Sequence, residues 1–190
     1  HRRLMELADY GSMHGDELRM HPLASFSLAE LARDAGEVSS DDAWRKHLKR
    51  IAESDAFTPS LPSTLQAELR DYQREGFECL GRLPHWGVGA CLADDMGLGK
   101  TLQALALLLT RAPEGPALVV APTSVCLNWI AEAQRFAPTL NLKLFGPGDR
   151  AGLLEGAGPF DVVVASYGLL QQEAPLFAKK QWHSIVLDEA

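Results

Sequence analysis

Residues 94–101 read Asp-Asp-Met-Gly-Leu-Gly-Lys-Thr, between an apolar run, Val88 to Ala93, and an apolar helical stretch from Leu102. Few sequence features restrict a fold as strongly. Gly97 and Gly99 permit a curled backbone whose successive N–H groups converge on one point. The helix start behind them adds unsatisfied donors and the positive end of its dipole. Lys100 brings an ammonium to the β- and γ-phosphates of a nucleotide, and Thr101 a hydroxyl for Mg²⁺. The segment is therefore predicted to be a strand–turn–helix phosphate loop. It departs from the usual pattern once: Asp94 stands where the consensus has its first glycine.

The rest of the C-terminal part fits one architecture. Apolar runs at Val88–Ala93, Leu118–Ala121, Leu142–Phe145, Val162–Ala165 and Ile185–Leu187 are separated by helical stretches. Runs that are apolar throughout suit parallel strands buried on both faces. Helices are expected at 70–83, with Tyr72, Phe77 and Leu80 inward, and at 101–111 and 124–136. Such alternation predicts an open α/β sheet with right-handed crossovers. The last strand empties into Asp188 and Glu189. Strand ends in such sheets face the ligand crevice. Asp188 would hold Mg²⁺ through water, and Glu189 would orient or deprotonate the attacking water.

Residues 1–57 are expected to be a helical accessory region without strands. Ser27-Leu28-Ala29-Glu30 has capping-box form, with Leu28, Leu31 and Ala32 on one face. A second helix carries Trp44, His47, Leu48 and Ile51 inward and Arg45, Lys46, Lys49 and Arg50 outward. That basic run reads as a solvated face, with a phosphate backbone as the alternative. Pro59 and Pro62 interrupt regular structure, so residues 58–64 form a linker before a domain at 65–190.

Composition narrows function further. A net charge of −7 argues against a freely acting basic nucleic-acid binder, so any such contact is local or supplied by other parts of a larger protein. The three cysteines, Cys79, Cys91 and Cys126, form no CxxC pair and read as small apolar residues in a reducing compartment. The longest apolar run, Ala104 to Leu109, is too short to span a bilayer, and no signal peptide opens the chain. A cytoplasmic, nucleoid-associated or nuclear protein is expected, not a secreted one. A first residue other than Met, and an end directly after the acidic pair, suggest a piece of a longer chain.

Together these motifs resemble, over residues 65–190, the first motor lobe of the SWI/SNF-type ATPases of helicase superfamily two. Asp94-Asp95-Met96-Gly97-Leu98-Gly99-Lys100-Thr101 is similar to that family's phosphate loop, Asp94 included. Leu69-Arg70-Asp71-Tyr72-Gln73 with Gly76 resembles its adenine-reading motif, in which Gln73 would bond the base edge; Asp71 stands where the family often has proline. Val119 to Ser124, followed by Asn128, Trp129 and Glu132, resembles the motif that contacts the nucleic-acid backbone. Thr123 and Ser124 are expected to cap the following helix and leave its donors for a phosphate. Asn128-Trp129 reads first as a plain N-cap with Trp129 as core, with a nucleic-acid contact at Asn128 as the alternative. Val162 to Tyr167 resembles the next motif, with Ser166 and Tyr167 as backbone contacts. Leu187-Asp188-Glu189-Ala190 resembles a DEAH/DEAQ box cut before its fourth letter.

The resemblance implies a RecA-like P-loop lobe with a mostly parallel sheet, using ATP and Mg²⁺. It further implies double-stranded DNA as partner and a second RecA-like lobe in the same parent chain, with further proteins as possible company. Lys100, Asp188 and Glu189 would be catalytic. The alternatives are an RNA-dependent ATPase of the same superfamily, a small-molecule kinase, which would lack Gln73 and the Pro122-Thr123-Ser124 turn, and a nucleotide-sensing scaffold that no longer catalyses.

Overall fold

The apolar runs at 117–121 and 161–166 become the inner strands of a four-stranded parallel sheet. Such runs cannot face water on either side, so helices must cover both faces. The computed structural model describes residues 11–14, 17–20, 42, 45, 46, 49, 50, 53, 57–86, 88–95 and 97–190. It divides into two compact units, His1–Thr58 with Gly81–Cys91, and Pro59–Leu80 with Leu92–Ala190.

In the first unit, β1 (Gly11–His14) and β2 (Glu17–Met20) pair antiparallel. This hairpin corrects the expectation of an N-terminal region without strands. Gly15-Asp16 between them is a Gly-first pair of the kind that two-residue hairpin loops favour, a signal the helical reading passed over. The predicted helix after Ser27 lies outside the described residues, as do Trp44, His47, Leu48 and Ile51. Asp42, Arg45, Lys46, Lys49, Arg50 and Glu53 are helical and exposed, as expected of an outward face. Arg45 pairs with Asp42 at 2.7 Å and Lys49 with Glu53 at 3.6 Å, local pairs that partly offset the basic run.

In the second unit, the sheet contains β3 (Ala117–Ala121), β4 (Asn141–Leu144), β5 (Asp161–Ser166) and β6 (Ser184–Leu187), in the order β4-β5-β3-β6, all parallel. Side chains alternate along each strand. Val119, Ala121, Val162 and Val164 therefore share one face with Leu105 and Leu108 of α2 (Lys100–Arg111) and Trp129 and Ala133 of α3 (Cys126–Phe136). Leu118, Val120, Val163 and Ala165 share the other. They pack there with Leu154 of α4 (Arg150–Glu155) and Phe177 of α6 (Ala174–Ala178). Between them, α5 (Tyr167–Gln172) follows β5 directly. The edge strands are less covered, with Leu144, Ile185 and Leu187 exposed.

The run Val88–Ala93 is not a strand among the described residues, which corrects the expectation that the sheet contains it. Gly89, Ala90, Cys91 and Ala93 are exposed, and small residues offer a sheet neighbour little to pack against. The first helix, α1 (Asp71–Arg82), buries Phe77 and Leu80 as expected, but its third buried residue is Gln73, while Tyr72 is 37% exposed. Phe77 and Leu69 pack on Ala106 of α2. Of the cysteines only Cys126 is buried; burial pushes its thiol above the ordinary range.

One contact ties the C-terminal end of α2 to the sheet. There Arg111 Nε donates to Ser184 Oγ at 2.8 Å, at the start of β6. The helix is about 18 Å long, which sets Lys100 and Thr101 at the end remote from the Arg111–Ser184 contact.

Candidate nucleotide-binding site

Gly97 and Gly99 both occupy the left-handed region, at φ +84° and +79°. Gly99 is the residue before α2, and no side chain caps that helix. Its first N–H groups are thus available to an anion. A Cβ at Gly99 would lie 2.5 Å from Gln73 Nε2, so glycine is required there by both conformation and space. Leu98 N donates to Asp95 O at 3.5 Å, closing the turn. Lys100 arches back over it, its Nζ donating to Asp94 O at 2.7 Å and Asp95 O at 3.1 Å. Both carboxylate-bearing residues at 94 and 95 thus offer their backbone carbonyls to the lysine. Met96 lies outside the described residues.

Two buried glutamines hold this loop from behind. Gln73 of α1 donates from Nε2 to Leu98 O at 3.0 Å, and its Oε1 accepts from Arg70 N at 3.0 Å. The residue expected to read a base edge thus has both carboxamide atoms engaged with backbone. Tyr72 OH joins it on Leu98 O at 3.2 Å. Gln103, three residues into α2 and fully buried, donates to Asp94 Oδ2 at 3.2 Å. The sequence reading missed Gln103. Its signal was a polar residue on the helix face that buries Ala106.

The carboxyl end of β6 carries the other candidate residues. Asp188 N donates to Val120 O at 2.8 Å, extending the β3–β6 ladder by one residue. Asp188 Oδ2 accepts from Trp129 Nε1 at 2.8 Å, and its backbone oxygen accepts from Tyr167 OH at 2.9 Å. Elements α3, β5–α5 and β6 therefore converge on one aspartate. Its Oδ1 makes no hydrogen bond among the described residues and is available to a cation or its water shell. Glu189 beside it is exposed, at φ +52°, a region non-glycine residues seldom occupy. Burial first, and then the Asp188 charge, raise the Glu132 carboxyl above the usual range, with Arg135 opposing. Tyr167 is raised for the same two reasons, with Glu189 adding to Asp188, so its phenol stays protonated and keeps donating.

Mg²⁺ fits this donor set in a restricted way. Among the described residues no group of three acidic, histidine or cysteine side chains could enclose a metal. One carboxylate oxygen and the Thr101 hydroxyl instead suit an ion that keeps its waters and is bound mainly by nucleotide phosphates.

The candidate nucleic-acid contacts divide. Thr123, Ser124 and Asn128 are exposed where β3 passes into α3. The expectation that Thr123 and Ser124 cap the helix is corrected: Val125 precedes its first turn without a side-chain cap. A backbone turn takes that role, with Val125 N and Cys126 N donating to Pro122 O at 2.8 and 3.2 Å. Both residues stay exposed. Ser166 is buried, and its Oγ accepts from Leu169 N at 3.3 Å, capping α5. Tyr167 points its hydroxyl at Asp188.

A family model described as the SNF2-related domain matches residues 72–190. The ISWI chromatin-remodeling complex ATPase CHR11 of Arabidopsis thaliana is 37% identical over 83% of this chain and 16% of its own length. Helicase SWR1 of Saccharomyces cerevisiae is 36% identical over 94% of this chain and 13% of its own. A Bacillus subtilis protein named as the putative ATP-dependent helicase/translocase YwqA is 34% identical over the whole chain and 22% of its own. Among solved structures, the Sulfolobus solfataricus SWI2/SNF2 ATPase core in complex with dsDNA superposes with a TM-score of 0.63 at 39% identity. That match covers 70% of this chain and 28% of the other. The chain spans less than a quarter of the length of these three curated relatives.

Proposed function

The chain belongs to the SNF2-related domain family, and from that membership and the site above we propose that it is the ATP-binding half of a DNA-dependent ATPase of the SWI/SNF type. In the parent protein, hydrolysis would be coupled to movement on double-stranded DNA. The observation that carries this reading is the uncapped start of α2 behind two left-handed glycines, on a helix whose far end is bonded to the start of the strand that leads into Asp188.

In this reading the amides from Gly97 to Thr101 hold the triphosphate, and Lys100 leaves the Asp94 and Asp95 carbonyls to reach the β- and γ-phosphates. Thr101 and the Asp188 carboxylate hold Mg²⁺, which when bound neutralises charge developing on the transferred phosphoryl group. Glu189 orients the attacking water and takes its proton. Gln73 keeps α1 on the loop and reads adenine after exchanging one of its present bonds. Thr123, Ser124 and Asn128 lie along a duplex backbone, with Ser166 and Tyr167 supporting from the junction of β5 and α5. A second RecA-like lobe would complete the site with arginine fingers, worth roughly 10³ to 10⁵ in rate. The 190 residues alone are thus expected to bind nucleotide weakly and turn it over negligibly. The parent would act in the nucleus or on a cytoplasmic nucleoid.

Lys100→Ala and Glu189→Gln, each in the full-length protein, test this. Both should abolish DNA-stimulated hydrolysis; turnover persisting in both contradicts the assignment. Stimulation by duplex DNA over single strands and RNA is expected, and the reverse order would favour the RNA-dependent alternative.

A further inference from the structure

Asp94 puts a carboxylate beside a loop meant for a polyanion. Its backbone oxygen is 2.7 Å from Lys100 Nζ, the group assigned to the phosphates, so its side chain is rooted close to the bound charge. Left to rotate, that carboxylate would repel the ligand and compete for the lysine. The structure shows what restrains it. Gln103 Nε2 donates to Asp94 Oδ2 at 3.2 Å, and Gln103 has no exposed surface. A buried carboxamide with a single bond is an unusual expense in a core helix. Its Oε1 is buried without a hydrogen-bond partner. That oxygen faces Gly76 of α1 so closely that a Cβ there would collide with it, so no side chain other than hydrogen fits opposite.

We propose that Gln103 is a positioning residue that parks the Asp94 carboxylate away from the phosphate site, and that Gly76 is glycine because it must admit the Gln103 side chain. The three residues come from α1, the loop and α2, and act as one clamp. Gln103 touches neither phosphate nor metal. It acts through Asp94, and offsets the departure of position 94 from glycine. The inference rests on the nucleotide reading, which it extends from the loop to the core behind it.

Binding of a fluorescent ATP analogue with Mg²⁺ to the full-length protein, together with amide hydrogen exchange without nucleotide, tests it. Gln103→Leu should weaken binding about tenfold, the scale of one charge-assisted hydrogen bond. The loss should shrink at high salt, because repulsion by a freed carboxylate is screened. With Asp94→Ala already present, Gln103→Leu should cost little, since no carboxylate remains to restrain. Gly76→Ala should reproduce the Gln103→Leu defect, and adding Gln103→Ala, which vacates the space, should not deepen it. Exchange should quicken at residues 95–100 in Gln103→Leu while the sheet amides stay protected.

A Gln103→Leu defect of equal size with and without Asp94 would overturn the proposal, as would binding by Gln103→Leu equal to that of a wild type that binds. A wild type that fails to bind nucleotide would instead contradict the proposed function; the exchange comparison then decides the clamp separately, and unchanged exchange at 95–100 would overturn it.

Discussion

Trp129 donates its indole N–H to Asp188 Oδ2 across 2.8 Å, although the two are far apart in the chain. Trp129 is 2% exposed, on α3 directly behind the turn that presents Thr123 and Ser124. The candidate metal ligand is therefore oriented by the helix that starts at the candidate nucleic-acid contact. Trp129→Phe keeps an aromatic ring in the core and removes the N–H donor together with part of the buried ring system. It should raise the Mg²⁺ concentration needed for half-maximal hydrolysis by the full-length protein several-fold. Stability should fall by about 1–3 kcal/mol, for a smaller core side chain and one lost bond to a charged group. A Mg²⁺ titration alongside thermal unfolding separates the two effects.

Tyr167→Phe isolates the second restraint on Asp188. It deletes the bond to the Asp188 backbone oxygen and leaves the ring in place. A loss of about 1 kcal/mol in unfolding free energy is expected. The raised Tyr167 pKa means that this contribution is complete below the ordinary tyrosine range and disappears only as pH climbs through the raised value. Denaturant unfolding at neutral pH should show the difference between wild type and variant, and at strongly alkaline pH the difference should close.

Glu132→Gln should stabilise the protein at neutral pH. Burial and the Asp188 charge both disfavour its ionised form, which raises the folded-state pKa above the unfolded one. The penalty is absent below the unfolded pKa and develops as pH rises through the folded value. The variant's melting temperature should therefore exceed wild type at pH 7 and match it near pH 3. A gap that is constant across this range would assign the effect to packing.

Gly99→Ala should harm nucleotide binding more than Gly97→Ala. Both positions have left-handed backbone, worth roughly 1–2 kcal/mol against an L side chain. A Cβ at Gly97 meets nothing within 4 Å, whereas at Gly99 it enters the Gln73 carboxamide and loosens α1 from Leu98 O. Titration of a fluorescent nucleotide against both variants checks the order.

What the sequence disclosed was local, and what it concealed was long-range. The loop at 94–101 and helices α2 and α3 follow from glycine placement and helical periodicity within short windows. Strands β3 and β5 were legible because burial on both faces leaves continuous apolar runs. The same rule failed at Val88–Ala93, where Gly89 and Ala90 satisfy an apolar count without giving a strand anything to pack. Thr123 and Ser124 have cap chemistry, but the turn on Pro122 O had already satisfied the donors they would serve. Trp129 could be read as core and is core; that its N–H also reaches Asp188 depends on strand order, which no periodicity encodes. Gln103 was hidden for the same reason, its partner Asp94 being brought near only by the curl of the loop.

The most direct measurement is a crystal structure of the full-length protein with Mg²⁺ and a slowly hydrolysed ATP analogue. The account predicts Lys100 Nζ on the β- and γ-phosphate oxygens, the amides of residues 97–101 around the triphosphate, and the metal joined to Asp188 directly or through one water. A triphosphate seated elsewhere, or a metal whose shell excludes Asp188, would contradict it.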